Sequence, residues 1–457
     1  MPDTKRPNFV IFYNDDHGYG DLSCMGATDL STPHLDGLAA SGARFTNWYS
    51  NSPVCSPSRA SLLTGKYPCH AGVRSILAGH RQATGLPQET PSLATALRRE
   101  GYRTAMSGKW HLGVAEESMP HNHGFDRWFG FLAGCIDFYS HIFYWGMGGG
   151  QDPVHDLWED GREVYANGEY MTHLITDRAV SYIDSFAASD DDAPFLLFVG
   201  YNAPHYPMHA PPEYLERFPG LPWDRQIMAG MIGAVDDGVG DVLKALDRHG
   251  LRDDTCVFFS GDNGPSRETR NWLDGTRDPY YGGTTGGLKG HKFSLYEGGV
   301  RMPAILNWPG HIHGGQVIDQ PGATMDVFPT FVKAAGGNPG DYDCDGKDIF
   351  PMASSGAPSP HEEIFWEMNK QTAVRRGPWK LVLNGQLVEG APPEDEVHLA
   401  NLDEDVSESV NLKDECPELA AELTGAAEHW RADIEKYWQA RWHGGDHSKL
   451  TGHNAKK

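Results

Sequence analysis

Four apolar runs, each followed at once by polar residues, dominate the hydropathy pattern of this chain. Phe9 to Tyr13 runs into Asn14, Asp15 and Asp16, and Tyr102 to Met106 leads to Gly108, Lys109, Trp110 and His111. Phe195 to Val199 leads to Asn202, Ala203, Pro204 and His205, while Cys256 to Ser260 ends in Gly261, Asp262, Asn263 and Gly264. Short runs of this kind, rich in β-branched and aromatic residues, predict buried strands. Between them lie helical patterns: Ser92 to Arg99, and Ile227 to Arg248 with Met231, Val235, Val239, Leu243 and Leu246 on its apolar side. The alternation predicts an α/β fold, a large mostly parallel sheet sandwiched by helices. Open α/β sheets hold ligands beyond the carboxyl ends of their strands, so the four polar clusters predict one shared site.

Pro, Ser, Gly and Ala cluster from Met352 to Pro360, which predicts a boundary. Residues 1–355 then form the main α/β domain, and 356–443 form a smaller C-terminal α+β domain. Its strands are expected at Ala373 to Arg375, Trp379 to Leu383 and Val397 to Leu399, with a helix near Pro417 to Trp438. The polar tail, 444–457, is expected to be disordered. The stretch Ala133 to Trp158 is aromatic and glycine-rich without clear period. It reads either as a substrate-facing loop or as a loop packed over the domain.

A length of 457 residues suits one large core and a smaller one. With 39% hydrophobic and 22% charged residues the composition is that of a soluble globular protein, and no apolar stretch reaches membrane-spanning length. The formal charge of −24 argues against a nucleic-acid-binding surface, which would need a basic stripe. Charges beyond a Debye length of about 8 Å are largely screened, so local Arg, Lys and His decide what a site binds. Seven cysteines without paired spacing predict no disulfide framework. Met1 leads directly to the first strand with no apolar leader, giving an expectation of a cytoplasmic protein, or a periplasmic or secreted one if a leader has been trimmed.

The densest chemistry lies in Cys55-Ser56-Pro57-Ser58-Arg59. Pro57 suits a first helical turn and Gly65 a stop, so Cys55 sits at a helix N-terminus, whose N–H groups favour an anion. Alone, the stretch also reads as a capping turn with a buried cysteine, or as a thiolate with a lowered pKa. Asp15, Asp16, Asp262 and Asn263 form an all-oxygen set suited to Ca²⁺ or Mg²⁺, although either pair alone reads as a turn.

Together these blocks resemble the type I sulfatases of the alkaline phosphatase superfamily. In that family an Asp-Asp pair, a Cys-x-Pro-x-Arg helix start, a Gly-Lys-Trp-His-Leu-Gly block, a histidine, an Asp-Asn-Gly loop and a lysine before Glu-Gly-Gly-x-Arg occur in order. Here they stand as Asp15-Asp16, Cys55 to Arg59, Gly108 to Gly113, His205, Asp262 to Gly264, and Lys292 before Glu297-Gly298-Gly299-Val300-Arg301. The match spans roughly residues 7–335 and is most similar to arylsulfatases and the N-acetylgalactosamine-4-sulfatase branch.

The resemblance implies an alkaline phosphatase-like fold and a sulfuric ester hydrolase acting on aryl or carbohydrate sulfates. It implies that a formylglycine-generating enzyme oxidises Cys55 to formylglycine, whose hydrate attacks sulfur. Metal ligands would be Asp15, Asp16, residue 55, Asp262 and Asn263. Arg59 and Lys109 would stabilise the oxyanion, and His205 and Lys292 would hold the sulfate and the departing oxygen. His111 would take a proton from the second hydroxyl. Spacing to Glu297 favours Lys292 over Lys289, and His17 departs from the apolar residue commonest after the aspartates. Two other functions compete: a phosphonate monoester or phosphodiester hydrolase, and a non-catalytic binder of sulfated glycans with Cys55 unconverted. No nucleic-acid or membrane partner is expected.

Overall fold

The computed structural model describes residues 6–144, 153–267 and 282–442. Its main sheet contains β1 (Asn8–Asn14), β2 (Ala43–Tyr49), β3 (Arg103–Lys109), β4 (Arg127–Phe131), β5 (Trp158–Glu159), β6 (Arg162–Glu163), β7 (Phe195–Tyr201), β8 (Thr255–Gly261), β9 (Arg301–Asn307), β10 (Gln316–Ile318) and β11 (Gly322–Ala323). Across the sheet the order is β10-β2-β9-β8-β1-β7-β3-β4-β5-β6, with β11 also on β2. The central strands β8, β1, β7, β3 and β4 are mutually parallel, whereas β9 runs against β8 and β2, and β5 against β4. The sheet is thus parallel at its centre and mixed at its margins.

The continuous apolar runs follow from burial on both faces. Phe9, Ile11 and Tyr13 point into one core with Leu196, Phe198 and Phe258, while Val10 and Phe12 point into the other with Leu197, Val199, Val257 and Phe259. Truncating one such phenylalanine to alanine costs about 3–5 kcal/mol. The second core is closed by helices Met171–Ala187 and Trp223–Arg248. Of the predicted apolar positions of the latter, Leu243 is only half-buried, and Val242 and Ala245 are buried beside it.

Strand direction explains the site. β2 is antiparallel to β9, which is antiparallel to β8, so β2 ends at the same sheet edge as β1, β3, β7 and β8. β9 begins there, with Arg301 opposite Tyr49. Residues after β2 and residues before β9 therefore join those after the parallel strands.

Beyond residue 356 the chain forms an antiparallel sheet of Ile364–Met368, Gln371–Arg376, Trp379–Gly385 and Asp395–Asn401, covered by helix Pro417–Arg441. The first of these strands was not expected from sequence. Ile364, Trp366, Ala373 and Val382 pack against Tyr49, Val54, Phe293 and Tyr296, joining the small sheet to the loops of the large one. The predicted tail from 444 lies outside the described residues, as do Trp145 and Gly148 to Gly150 of the aromatic loop. All seven cysteines carry free thiols. Among the described residues no helix is long and apolar enough to cross a membrane.

Candidate active site

Cys55 is the first residue of helix Cys55–Thr64, which ends at Gly65 in the left-handed conformation that the predicted stop requires (φ 70°). Every residue of this helix is buried. Hydroxyl contacts fix its start: Ser58 Oγ lies 2.7 Å from both Tyr13 Oη and Ser50 Oγ, and Ser50 Oγ donates to the Asp262 carbonyl at 2.6 Å. The helix is thereby tied to the ends of β1 and β8.

The sequence-predicted residues meet at this edge. One ligand atom each from Asp15, Asp16, Cys55 and His205 can be chosen so that all lie within 4.8 Å of one another. Lys109 Nζ is 2.5 Å from Asp15 Oδ2, and Lys292 Nζ is 3.0 Å from Asp16 Oδ2. Arg59 donates from Nε to Asp262 Oδ2 at 3.0 Å and from Nη1 to the Lys109 carbonyl at 3.1 Å. Asp262 Oδ1 accepts from the Asp16 backbone at 3.1 Å, and Asn263 Nδ2 donates to Asp16 Oδ1 at 2.7 Å. Asp16 itself sits in the left-handed region, at φ 56°.

His205 Nδ1 donates to the Tyr206 carbonyl at 2.7 Å, which leaves Nε2 facing Lys292 Nζ at 3.2 Å, to accept from it when the ring is neutral and to donate when the ring is protonated. Nε2 is also 3.5 Å from Asp16 Oδ2, so His205 joins the acidic cluster. His111 Nε2 lies 3.4 Å from the Leu77 carbonyl, and its Nδ1 is buried with no hydrogen-bond partner. A Cβ on Gly134 would stand 2.7 Å from His111 Cε1, so only glycine lets the aromatic loop approach this ring. Sequence reasoning missed Gly134; no local pattern marks a glycine chosen by a distant ring.

Burial governs the electrostatics. It pushes the Cys55 thiol above its ordinary range against the pull of Lys109 and Lys292, which disfavours a thiolate nucleophile. Burial also pushes Asp262 up, with the Asp15 carboxylate adding to it. Burial holds His111 well below its usual range, and Lys109 and Arg59 add to the shift, leaving a neutral ring at neutral pH. Three carboxylates, Asp15, Asp16 and Asp262, face three cations, Arg59, Lys109 and Lys292.

The donor set fits a hard divalent cation. Asp15 Oδ1 and Asn263 Oδ1 are buried oxygens without a hydrogen-bond partner in the protein. Each such group costs roughly 1–3 kcal/mol unless something satisfies it. Carboxylate and amide oxygens are the ligands Ca²⁺ and Mg²⁺ take.

Remaining alternatives are resolved by position. Lys289 lies over the Tyr296 ring at 4.5 Å, away from the acids, so Lys292 is the lysine of the cluster. Lys109 is fully buried rather than snorkelling. His17 packs edge-on against Phe259 and sits 3.1 Å from Asn14 Nδ2, a buried structural place; burial lowers it to about 3. The Glu297-Gly298-Gly299 turn positions backbone: a Cβ on Gly298 would meet the Gly290 carbonyl at 2.1 Å.

Comparison with known proteins accords with this geometry. The family model described as Sulfatase matches residues 7–337. N-acetylgalactosamine-6-sulfatase of Mus musculus is 34% identical over 392 residues, covering 82% of this chain and 72% of that protein. Arylsulfatase A of Homo sapiens is 34% identical over 395 residues, covering 82% and 75%. The crystal structure of Ps i-CgsB in complex with k-i-k-neocarrahexaose superposes with a TM-score of 0.82 at 30% identity, covering 93% of this chain and 92% of that one. The chain belongs to the sulfatase family, enzymes that hydrolyse sulfate esters.

Proposed function

We propose that this sulfatase cleaves the sulfate monoester of a saccharide, using Cys55 after its oxidation to formylglycine by a formylglycine-generating enzyme. The observation that carries the reading is the buried meeting of Cys55 with Asp15, Asp16 and His205, ringed by Arg59, Lys109 and Lys292. A saccharide substrate is supported by the relative named for N-acetylgalactosamine 6-sulfate and by the related structure that holds a neocarrahexaose.

Asp15, Asp16, Asp262, Asn263 and an oxygen of residue 55 would hold a Ca²⁺ or Mg²⁺ ion, which when bound supplies Lewis acidity to lower the pKa of a hydroxyl. The chain's own groups do the rest. One hydroxyl of the hydrated aldehyde attacks sulfur while Lys292 and His205 bind the ester oxygens. A proton from one of these two passes to the departing alcohol. Arg59 and Lys109, fixed and dry, stabilise negative charge where it grows. His111, neutral and with Nδ1 unpaired, accepts the proton of the second hydroxyl, so the aldehyde re-forms and sulfate departs.

The test is hydrolysis of 4-nitrophenyl sulfate beside bis(4-nitrophenyl) phosphate by protein co-expressed with a formylglycine-generating enzyme, with Cys55→Ala as control. Sulfate turnover that vanishes in the variant is expected. Dominant diester turnover would instead mark a phosphodiesterase, and the absence of any Cys55-dependent turnover would mark a glycan binder.

A further inference from the structure

The segment that carries Lys292 has little regular structure of its own, yet its backbone is bound on every side. The Lys292 amide donates to the Pro265 carbonyl at 3.1 Å, just past the Asp262-Asn263 pair. The Phe293 amide donates to the Pro53 carbonyl at 3.0 Å, two residues before Cys55. Phe293 sits at φ 72°, a left-handed conformation that is an outlier for a bulky residue and persists only where the surroundings over-determine it.

The third side is a single side chain from the C-terminal sheet. Gln371, 1% exposed at the start of strand Gln371–Arg376, donates from Nε2 to the Phe293 carbonyl at 2.8 Å. Its Oε1 accepts from the Leu295 amide at 3.3 Å and the Gln386 amide at 2.9 Å. One amide therefore holds the chain on the C-terminal side of the left-handed residue next to Lys292, at the Phe293 carbonyl and the Leu295 amide, while the Pro53 carbonyl holds the Phe293 amide. The neighbouring His291 amide donates to the Leu387 carbonyl at 3.0 Å, and Trp366 Nε1 donates to the Ser50 carbonyl at 2.7 Å in the loop before Cys55.

We infer that Gln371 is a positioning residue for Lys292, so that the C-terminal sheet completes the reaction site and does not merely flank it. The inference rests on the part proposed for Lys292. Without this hold, Phe293 relaxes to negative φ, and the ammonium of Lys292 shifts relative to Asp16 Oδ2 and His205 Nε2. A displacement of about 1 Å in a positioned group lowers turnover by up to roughly 100-fold.

The test uses the full chain matured with formylglycine. Gln371→Met keeps side-chain volume and removes the hydrogen bonds; Gln371→Ala is its companion. Amide hydrogen exchange at 293–295 is expected to quicken by about tenfold or more while β1 amides keep their protection. Turnover of 4-nitrophenyl sulfate is expected to fall by about 10- to 100-fold, mainly in kcat. Unchanged exchange at 293–295 overturns the inference, as does full turnover in both variants beside an inactive Lys292→Ala. Loss of β1 protection in both variants makes Gln371 a general structural residue and also overturns it. Full turnover in Lys292→Ala is a separate failure, that of the proposed lysine role, and it removes the inference with it.

Discussion

Arg59 and Asp262, 203 residues apart, form a fully buried ion pair in which Nε and Nη2 both reach Oδ2, at 3.0 and 2.9 Å. The pair joins the first turns of the Cys55 helix to the end of β8. Arg59→Ala is expected to cost about 3–5 kcal/mol by stranding a buried carboxylate, measured by urea unfolding. Arg59→Lys keeps the charge but cannot also reach the Lys109 carbonyl, so about a 100-fold drop in kcat/KM is expected. Near wild-type turnover in the lysine variant would show that charge alone suffices.

Cys55→Ser is expected to behave differently from Cys55→Ala. A serine oxygen that attacks sulfur leaves an ester with no second hydroxyl to expel it. Incubation with 4-nitrophenyl sulfate should release at most one nitrophenol per chain and add one sulfuryl group to the protein mass. Sustained turnover by the serine variant would remove the need for the second hydroxyl and for His111 as its base.

Chelation is expected to weaken the fold as well as the activity, because Asp15 and Asp262 then face each other with less compensation. A cation at 100 times its Kd contributes about 2.7 kcal/mol, visible as a fall in Tm on its removal. Loss with EGTA, restored by Ca²⁺ alone, indicates Ca²⁺; loss only with EDTA, restored by Mg²⁺, indicates Mg²⁺. A Tm indifferent to both chelators would contradict the reading of the orphaned oxygens.

A second buried network predicts a pH effect away from the reaction site. Lys380 Nζ lies 2.8 Å from Glu297 Oε1 and 3.3 Å from Glu408 Oε1, all fully buried. One ammonium serves two carboxyls, and Glu297 also takes Arg301 and the Tyr49 hydroxyl. Burial pushes Glu408 up to about 7 despite Lys380, while Lys380, Arg301 and Arg375 hold Glu297 low against its burial. A carboxyl raised in the folded state binds its proton more tightly there, so its contribution is full at acid pH and lost as pH rises through 7. Glu408→Gln should match wild type near pH 4 and exceed it by about 1–3 kcal/mol at pH 8. Equal stabilities at both pH values would place the proton elsewhere.

The site was legible in sequence because strand ends are local: an apolar run followed by Asp-Asp or Asp-Asn-Gly marks its own carboxyl end, and parallel strands gather those ends. Cys55 and Lys292 were legible as motifs, but the reason they meet was not. It lies in the antiparallel pairing of β2 with β9, a contact between strands whose own sequences, Ala43–Tyr49 and Arg301–Asn307, carry no signal of their partner. Gln371 and Gly134 were illegible for the same reason, since each is chosen by a group more than twenty residues away. Strand Ile364–Met368 was missed because its Trp, Glu and Met pair into a small sheet that tertiary packing stabilises more than propensity does.

The burial of helix Cys55–Thr64 bears on the order in which the proposed maturation and folding would occur. Cys55 is 2% exposed and its first turn is bonded to β1 and β8, so the folded chain offers its thiol no open surface. On the proposed reading, oxidation of Cys55 would have to precede the closure of the sheet over it. A molecule that folded first would then keep its thiol for as long as it stayed folded.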